Sequence, residues 1–149
     1  NITKDDLKKV LRKIDALIIN DEEVYELTGE RNLVKGARLI QKMGPRIVAP
    51  KKGEHGCLLF VEDGLFSAPA LPMELVVDPT GAGDTFAGGL MGYIAQQNST
   101  DFDTLRRAVI HGSVLASFTC EKFGVDRLVE VGQAEIEARY AEFVELARF

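Results

Sequence analysis

The residues that can do chemistry concentrate in Asp78-Pro79-Thr80-Gly81-Ala82-Gly83-Asp84, which follows the short apolar run Leu75-Val76-Val77 and precedes an apolar segment from Thr85 to about Gln97. Small residues let backbone N–H groups approach an anion, and a helix starting after them offers its positive end, so the loop is a candidate phosphate cradle. A carboxylate at Asp84 would repel a resting phosphate unless it had its own task. One task is general base, accepting the proton of an alcohol that attacks a phosphoryl group held by the neighbouring amides. The other reading is an ordinary helix cap, a position aspartate favours.

Two further polar segments follow apolar runs. Asn20-Asp21-Glu22-Glu23 comes after Ala16-Leu17-Ile18-Ile19. One helical turn would present Asn20 and Glu23 together, either to a hydrated Mg²⁺, which takes carboxylate and water oxygens, or as a capping Asn with acids in the first turn. Lys51-Lys52-Gly53-Glu54-His55-Gly56 follows Ile47-Val48-Ala49. It reads either as a turn bringing backbone and a cation to nucleotide phosphates or ribose, or as a solvated basic turn. His55 and His111 have no evident triad or metal partner. No GxxxxGK[ST] occurs. The glycines at 81 and 83 open like a dinucleotide fingerprint, but the third position is Phe86, and Asp101 and Asp103 fall at a helix start rather than a strand end, which argues against a dinucleotide site.

The elements that must position these groups are legible from period and punctuation. Thr3 to Asp6 resembles a capping box, with Leu7, Val10, Leu11 and Ile14 at helical spacing behind it. Residues 16–19 and 47–49 read as buried parallel strands, with helices over 21–28, closed by Gly29, and from Asn32 to Gly44 between them. Asp63-Gly64 between 57–61 and 65–69 signals a hairpin. Leu75-Val76-Val77 reads as a strand leading into the glycine loop. Helices are expected at 105–119 and 133–149, with a loop around 123–132. The alternation predicts an α/β layered sandwich with a mostly parallel central sheet and a β-hairpin, a single domain over 1–149 without linker or repeat.

Composition agrees. The chain has 149 residues, 46% hydrophobic and 28% charged, enough apolar material for one core, and a formal charge of −5 that disfavours nonspecific binding to nucleic acid or anionic membranes. Cys57 and Cys120 lie far apart without metal-ligand spacing, so a reducing cytoplasm is the expected setting. No run is long enough to span a bilayer and no signal peptide is evident. The chain opens on Asn1 rather than Met, which reads as a trimmed or partial product.

Taken in order, these segments resemble the ribokinase-like, or PfkB-type, carbohydrate kinase family. Residues 78–89 resemble its carboxyl-terminal signature, Asn20 to Glu23 its N-x-x-E motif, and Lys52 to Gly56 its T/K-x-G-x-x-G-type turn. The resemblance implies that Asp84 is the catalytic base, that Gly81, Ala82 and Gly83 form the anion hole, and that Asn20 and Glu23 organise Mg²⁺, through water, and phosphates. It implies nucleotide contacts near Lys52, Gly53, Gly56 and Ser113, where Ser113 stands in place of the usual Asn, and a monovalent cation such as K⁺ beside Asp78 and Thr80. The family's later Gly-Ala is Gly124-Val125 here. The resemblance covers the family's carboxyl-terminal half, whose other half carries most sugar-binding residues. The implied function is ATP-dependent phosphoryl transfer to a hydroxyl of a sugar, with a nucleoside acceptor or a non-catalytic nucleotide-binding module as alternatives. Self-association or a partner supplying the amino-terminal half is the expected way to cover strand edges.

Overall fold

The computed structural model describes residues 3–149, and these gather into two compact units: the chain up to Gly53 with Cys57–Ser67, and Glu54–Gly56 with Ala68–Phe149. In the first, α1 (Lys4–Leu11) is capped by Thr3, whose hydroxyl accepts the Asp6 N–H at 3.2 Å while Asp6 accepts the Thr3 N–H in return. Asp therefore closes a capping box as Glu more often does. Strand β1 (Ala16–Asn20) runs directly into α2 (Asp21–Thr28), which Gly29 ends at φ 72°. Helix α3 (Leu33–Met43) starts on Asn32, whose side chain accepts the Lys35 N–H, and stops at Gly44. A Cβ on Gly44 would stand 2.1 Å from the Leu11 carbonyl oxygen, so only glycine lets the chain turn there.

The sheet order is β1-β2-β3-β4, with β2 at Ile47–Lys51, β3 at Cys57–Val61 and β4 at Gly64–Ala68. β1 and β2 form the parallel pair, from Ala16 opposite Ile47 to Asn20 opposite Lys51, and the hairpin strand β3 adds an antiparallel neighbour to β2, so the α/β sheet is mixed. β2 runs past Pro50, where the sequence pattern stops at Ala49, because its pairing with β1 continues to the end of that strand. Ile19, Val24, Ala37, Ile40, Val48 and Phe60 make the core between this sheet and helices α2 and α3. Arg38 lies over the Phe60 ring and donates to the Val61 carbonyl at 2.8 Å. Cys57 is a core residue, 2% exposed, and that burial pushes its thiol up to about 12, away from the reactive thiolate.

The second unit is helical: α4 (Ala82–Gln97), α5 (Phe102–Thr119), α6 (Asp126–Glu130) and α7 (Gln133–Leu146). α4 and α5 approach through glycine. A Cβ on Gly112 would lie 2.6 Å from the Phe86 carbonyl oxygen, and one on Gly89 would lie 3.0 Å from the Gly112 Cα. Phe86, Leu90, Ala108, Val109, Val114, Phe118 and Phe143 are buried. Asp101 caps α5 by accepting the Thr104 N–H at 2.7 Å, and Asp103 pairs with Arg106 and Arg107, which accounts for both acids at this helix start. No helix among the described residues is long and apolar enough to cross a membrane.

Two expectations are corrected here. Leu75, Val76 and Val77 form no strand; they are 73%, 48% and 38% exposed. An apolar triplet becomes a strand only where a neighbour supplies ladder partners, and among the described residues the one backbone bond in this stretch is from the Val77 N–H to the Cys120 carbonyl, 2.8 Å. The loop expected over 123–132 contains α6, held at its flanks by Lys122–Glu130 and by Arg127 with Glu121 and Glu135. Arg139 of α7 completes this network, 2.6 Å from Glu121 and 3.6 Å above the Phe118 ring.

Burial alone would raise the Glu121 carboxyl, but hydrogen bonds from Arg127 and Arg139 outweigh it and hold the group below its ordinary value. A carboxylate depressed in the folded state stabilises above its unfolded value and loses that contribution as pH falls through the folded one. The stability this carboxylate contributes is therefore expected to be lost as the pH falls through and below the ordinary carboxylate range, read as a falling melting temperature, and Glu121→Gln to flatten that slope while lowering stability at neutrality. Gly112→Ala is expected to destabilise by about 1–3 kcal/mol through overpacking. Gly92→Ala, whose Cβ would meet nothing within 4 Å, should stabilise by about 0.5–1 kcal/mol, both changes being read by denaturant titration.

Candidate functional site

In the first unit, Asn20 and Glu23 are brought together as a capping box. The Asn20 side-chain oxygen accepts the Glu23 N–H at 2.7 Å, and Glu23 Oε2 accepts the Asn20 N–H at 3.0 Å. The capping reading is thus the observed geometry, and it leaves Glu23 Oε1 without a partner among the described residues on an exposed side chain. One carboxylate oxygen at the end of a parallel strand suits a cation that keeps most of its water. No cluster of three or more His, Cys, Asp or Glu able to hold a metal ion exists among the described residues. Across the strand pair, Lys51 stands opposite Asn20.

The turn after β2 contains a short 3-10 segment, Gly53–His55. Gly53 has φ 55° and Gly56 φ 87°, and a Cβ on Gly56 would sit 2.1 Å from the Ala68 carbonyl oxygen. Both glycines are demanded by backbone conformation. Lys52 is partly exposed, with no ion pair among the described residues. His55 is a surface residue 3.8 Å from Glu54.

The glycine loop lies in the second unit. α4 begins at Ala82, earlier than the expected Thr85, so Gly81 is the N-cap, at φ 83°, and Asp84 is in the first turn. Gly81 brings no capping side chain and no side-chain cap bond forms, so Asp84 is not the cap. Its exposed carboxylate has no hydrogen-bond or salt-bridge partner among the described residues. The Ala82 N–H donates to Pro79 O at 3.1 Å, while the N–H groups of Gly81, Gly83 and Asp84 have no backbone acceptor among the described residues. The turn therefore offers free donors, a helix N-terminus and an unengaged carboxylate within four consecutive residues.

Asp78 accepts the Thr80 N–H at 2.9 Å, and that backbone hydrogen bond is the main cause holding its carboxyl below the ordinary value. Its charge and its second oxygen suit a cation. Ser113 lies half-buried on α5, the helix packed against α4. His111 has a structural role: it stacks between Tyr93 of α4 and Tyr140 of α7, with ring centroids 4.2 and 4.5 Å away, and burial lowers its imidazole below the ordinary value.

Sequence reasoning missed Thr85 and Thr119. The Thr119 hydroxyl donates to the Thr85 hydroxyl at 2.9 Å, joining the end of α5 to the start of α4. Thr85 follows Asp84 and was legible as a neighbour; no signal in the sequence points to Thr119.

Comparison with known proteins fits this geometry. The family model for pfkB family carbohydrate kinase matches residues 1–131. The chain is 38% identical over 94 residues to a cytidine kinase of Thermococcus kodakarensis, covering 60% of this chain and 33% of that protein. It is 33% identical over 121 residues to an uncharacterized sugar kinase of Archaeoglobus fulgidus, covering 80% of this chain and 45% of that one. The crystal structure of aminoimidazole riboside kinase from Salmonella enterica, complexed with aminoimidazole riboside and an ATP analogue, superposes with a TM-score of 0.80 at 22% identity, over 91% of this chain and 45% of that chain. The chain thus spans less than half the length of these relatives.

The capping box yields a stability test. Asn20→Ala is expected to cost about 0.5–2 kcal/mol in chemical denaturation, and Asn20→Asp, which retains the acceptor, much less.

Proposed function

Because the chain belongs to the pfkB family of carbohydrate kinases, we propose that it is the nucleotide-binding and base-bearing portion of a kinase that moves the γ-phosphoryl group of ATP to a hydroxyl of a sugar or nucleoside. The observation that carries this reading is the loop from Asp78 to Asp84: free amides at Gly81 and Gly83 beside a carboxylate that caps nothing. Phosphoryl transfer needs little covalent chemistry from a protein. It needs donors aimed where charge develops and a group to take the alcohol's proton.

In this reading Asp84 accepts the proton of the attacking hydroxyl, and the amides of Gly81, Ala82 and Gly83 steady the oxygens of the transferring group. Ala82 joins only if its N–H leaves Pro79, so Gly81 and Gly83 are the donors already available. Glu23, fixed by Asn20, holds water of Mg²⁺ through its open oxygen. Mg²⁺ when bound neutralises phosphate charge. Lys52, Gly53, Gly56 and Ser113 contact the nucleotide, and Asp78 and Thr80 hold a monovalent cation such as K⁺ next to the loop. The cytidine kinase similarity favours a nucleoside as readily as a free sugar, since both present a hydroxyl on a sugar ring.

A second reading, nucleotide binding without turnover by the chain alone, is favoured by its span of less than half of its relatives. Isothermal titration of the chain with Mg·ATP is expected to show saturable binding, and its absence would sink both readings. In a protein of the relatives' full length, Asp84→Asn is expected to lower kcat by about 10²–10⁴-fold with Mg·ATP affinity nearly unchanged. Undiminished turnover would remove Asp84 from the role of base.

A further inference from the structure

The glycine loop cannot fix its own shape. Gly81 lies in the left-handed region, no side chain caps α4, and inside the loop the bonds are Thr80 N–H to Asp78 and Ala82 N–H to Pro79. A glycine-containing turn of this kind loses much conformational freedom on ordering, and donors that wander by an ångström forfeit most of their value to a reacting group. Something outside the loop must hold it.

Two adjacent residues at the end of α5 touch both sides of it. The Cys120 carbonyl accepts the Val77 N–H at 2.8 Å, immediately before the loop. The Thr119 hydroxyl donates to Thr85 Oγ1 at 2.9 Å, immediately after it. Thr119 is 2% exposed, so its hydroxyl has no water to fall back on. A helical threonine commonly returns its proton to a carbonyl of its own preceding turn. Thr119 instead reaches across to another helix, 34 positions away in sequence.

We infer that the carboxyl end of α5 is a clamp on the glycine loop, with Thr119 as a positioning residue that sets the first turn of α4 and thereby the Gly81, Gly83 and Asp84 groups. Thr119 does not touch the ligand; it acts through Thr85. For its importance to nucleotide this rests on the functional reading above, but the clamp itself is a property of the ligand-free chain.

The test uses the chain as it stands, with Thr119→Val, which keeps the shape and removes the hydroxyl, Thr119→Ser, which restores it, and Thr85→Val, which removes the acceptor. In Thr119→Val, amide exchange followed by NMR should quicken about two- to tenfold at Ala82 and Thr85, the range of one net hydrogen bond, while amides of α7 keep wild-type rates. Thr85→Val should do the same, the double variant no more than either alone, and Thr119→Ser should return wild-type exchange. Mg·ATP affinity by calorimetry should fall by a similar factor in Thr119→Val and recover in Thr119→Ser. Wild-type exchange at Ala82 and Thr85 in Thr119→Val overturns the clamp, whether or not nucleotide binds. Wild-type affinity in that variant overturns its role in positioning. A wild-type chain that binds no Mg·ATP refutes the functional reading instead, and the exchange rates then decide the clamp by themselves.

Discussion

The second unit depends on how closely α4 and α5 approach. With hydrogen in place of a side chain at Gly89 and Gly112, the two backbones come within the distance that a single methyl group would forbid. That approach is what allows a hydroxyl at the last residue of α5 to reach the first turn of α4. Larger residues would separate the helices, and the loop at the start of α4 would lose its outside support. The glycines after Asp84 therefore matter to the loop as much as those before it: Gly81 sets the turn's left-handed backbone, and Gly89 and Gly112 let the next helix come close enough to hold it.

In the first unit the governing constraint is the end of a parallel strand pair. β1 and β2 finish level, Asn20 opposite Lys51, and the chain leaves each through a polar residue. Such strand ends gather polar groups that have no other business in the core. At Asn20 the same atoms serve two purposes. The capping box with Glu23 satisfies two helix-terminal donors and, in doing so, immobilises a carboxylate with one oxygen to spare. A capping pair and a pair that orders a hydrated cation are thus compatible, because the cap consumes only part of the acceptor capacity.

Away from the candidate site, charge and aromatic packing secure the last helix. Glu121 receives Arg127 and Arg139, both lying over Phe118, so the carboxylate stays ionised despite partial burial. On another side of the bundle the Tyr93–His111–Tyr140 stack ties α4, α5 and α7 together, an assignment for His111 that needs neither metal nor proton transfer. Within the segment around 123–132, Arg127 and Glu130 are tied to Glu121, Glu135 and Lys122 outside it, which holds α6 where an open loop was expected.

The sequence alone determined what is decided within a few residues. Caps at Thr3, Asn20, Asn32 and Asp101, the stops at Gly29 and Gly44, the hairpin at Asp63-Gly64 and the glycine loop itself are local devices, with donor, acceptor and backbone conformation supplied by near neighbours. Tertiary structure decided the rest. Leu75-Val76-Val77 has strand composition without strand partners, and α6 exists through ion pairs made at its flanks. Whether Asp84 was cap or free carboxylate turned on where α4 begins, and that boundary belongs to Gly81 and the packing beyond it. Thr119 gained its partner only when two helices separated in sequence were pressed together, because a hydrogen bond between distant positions leaves no periodicity to read.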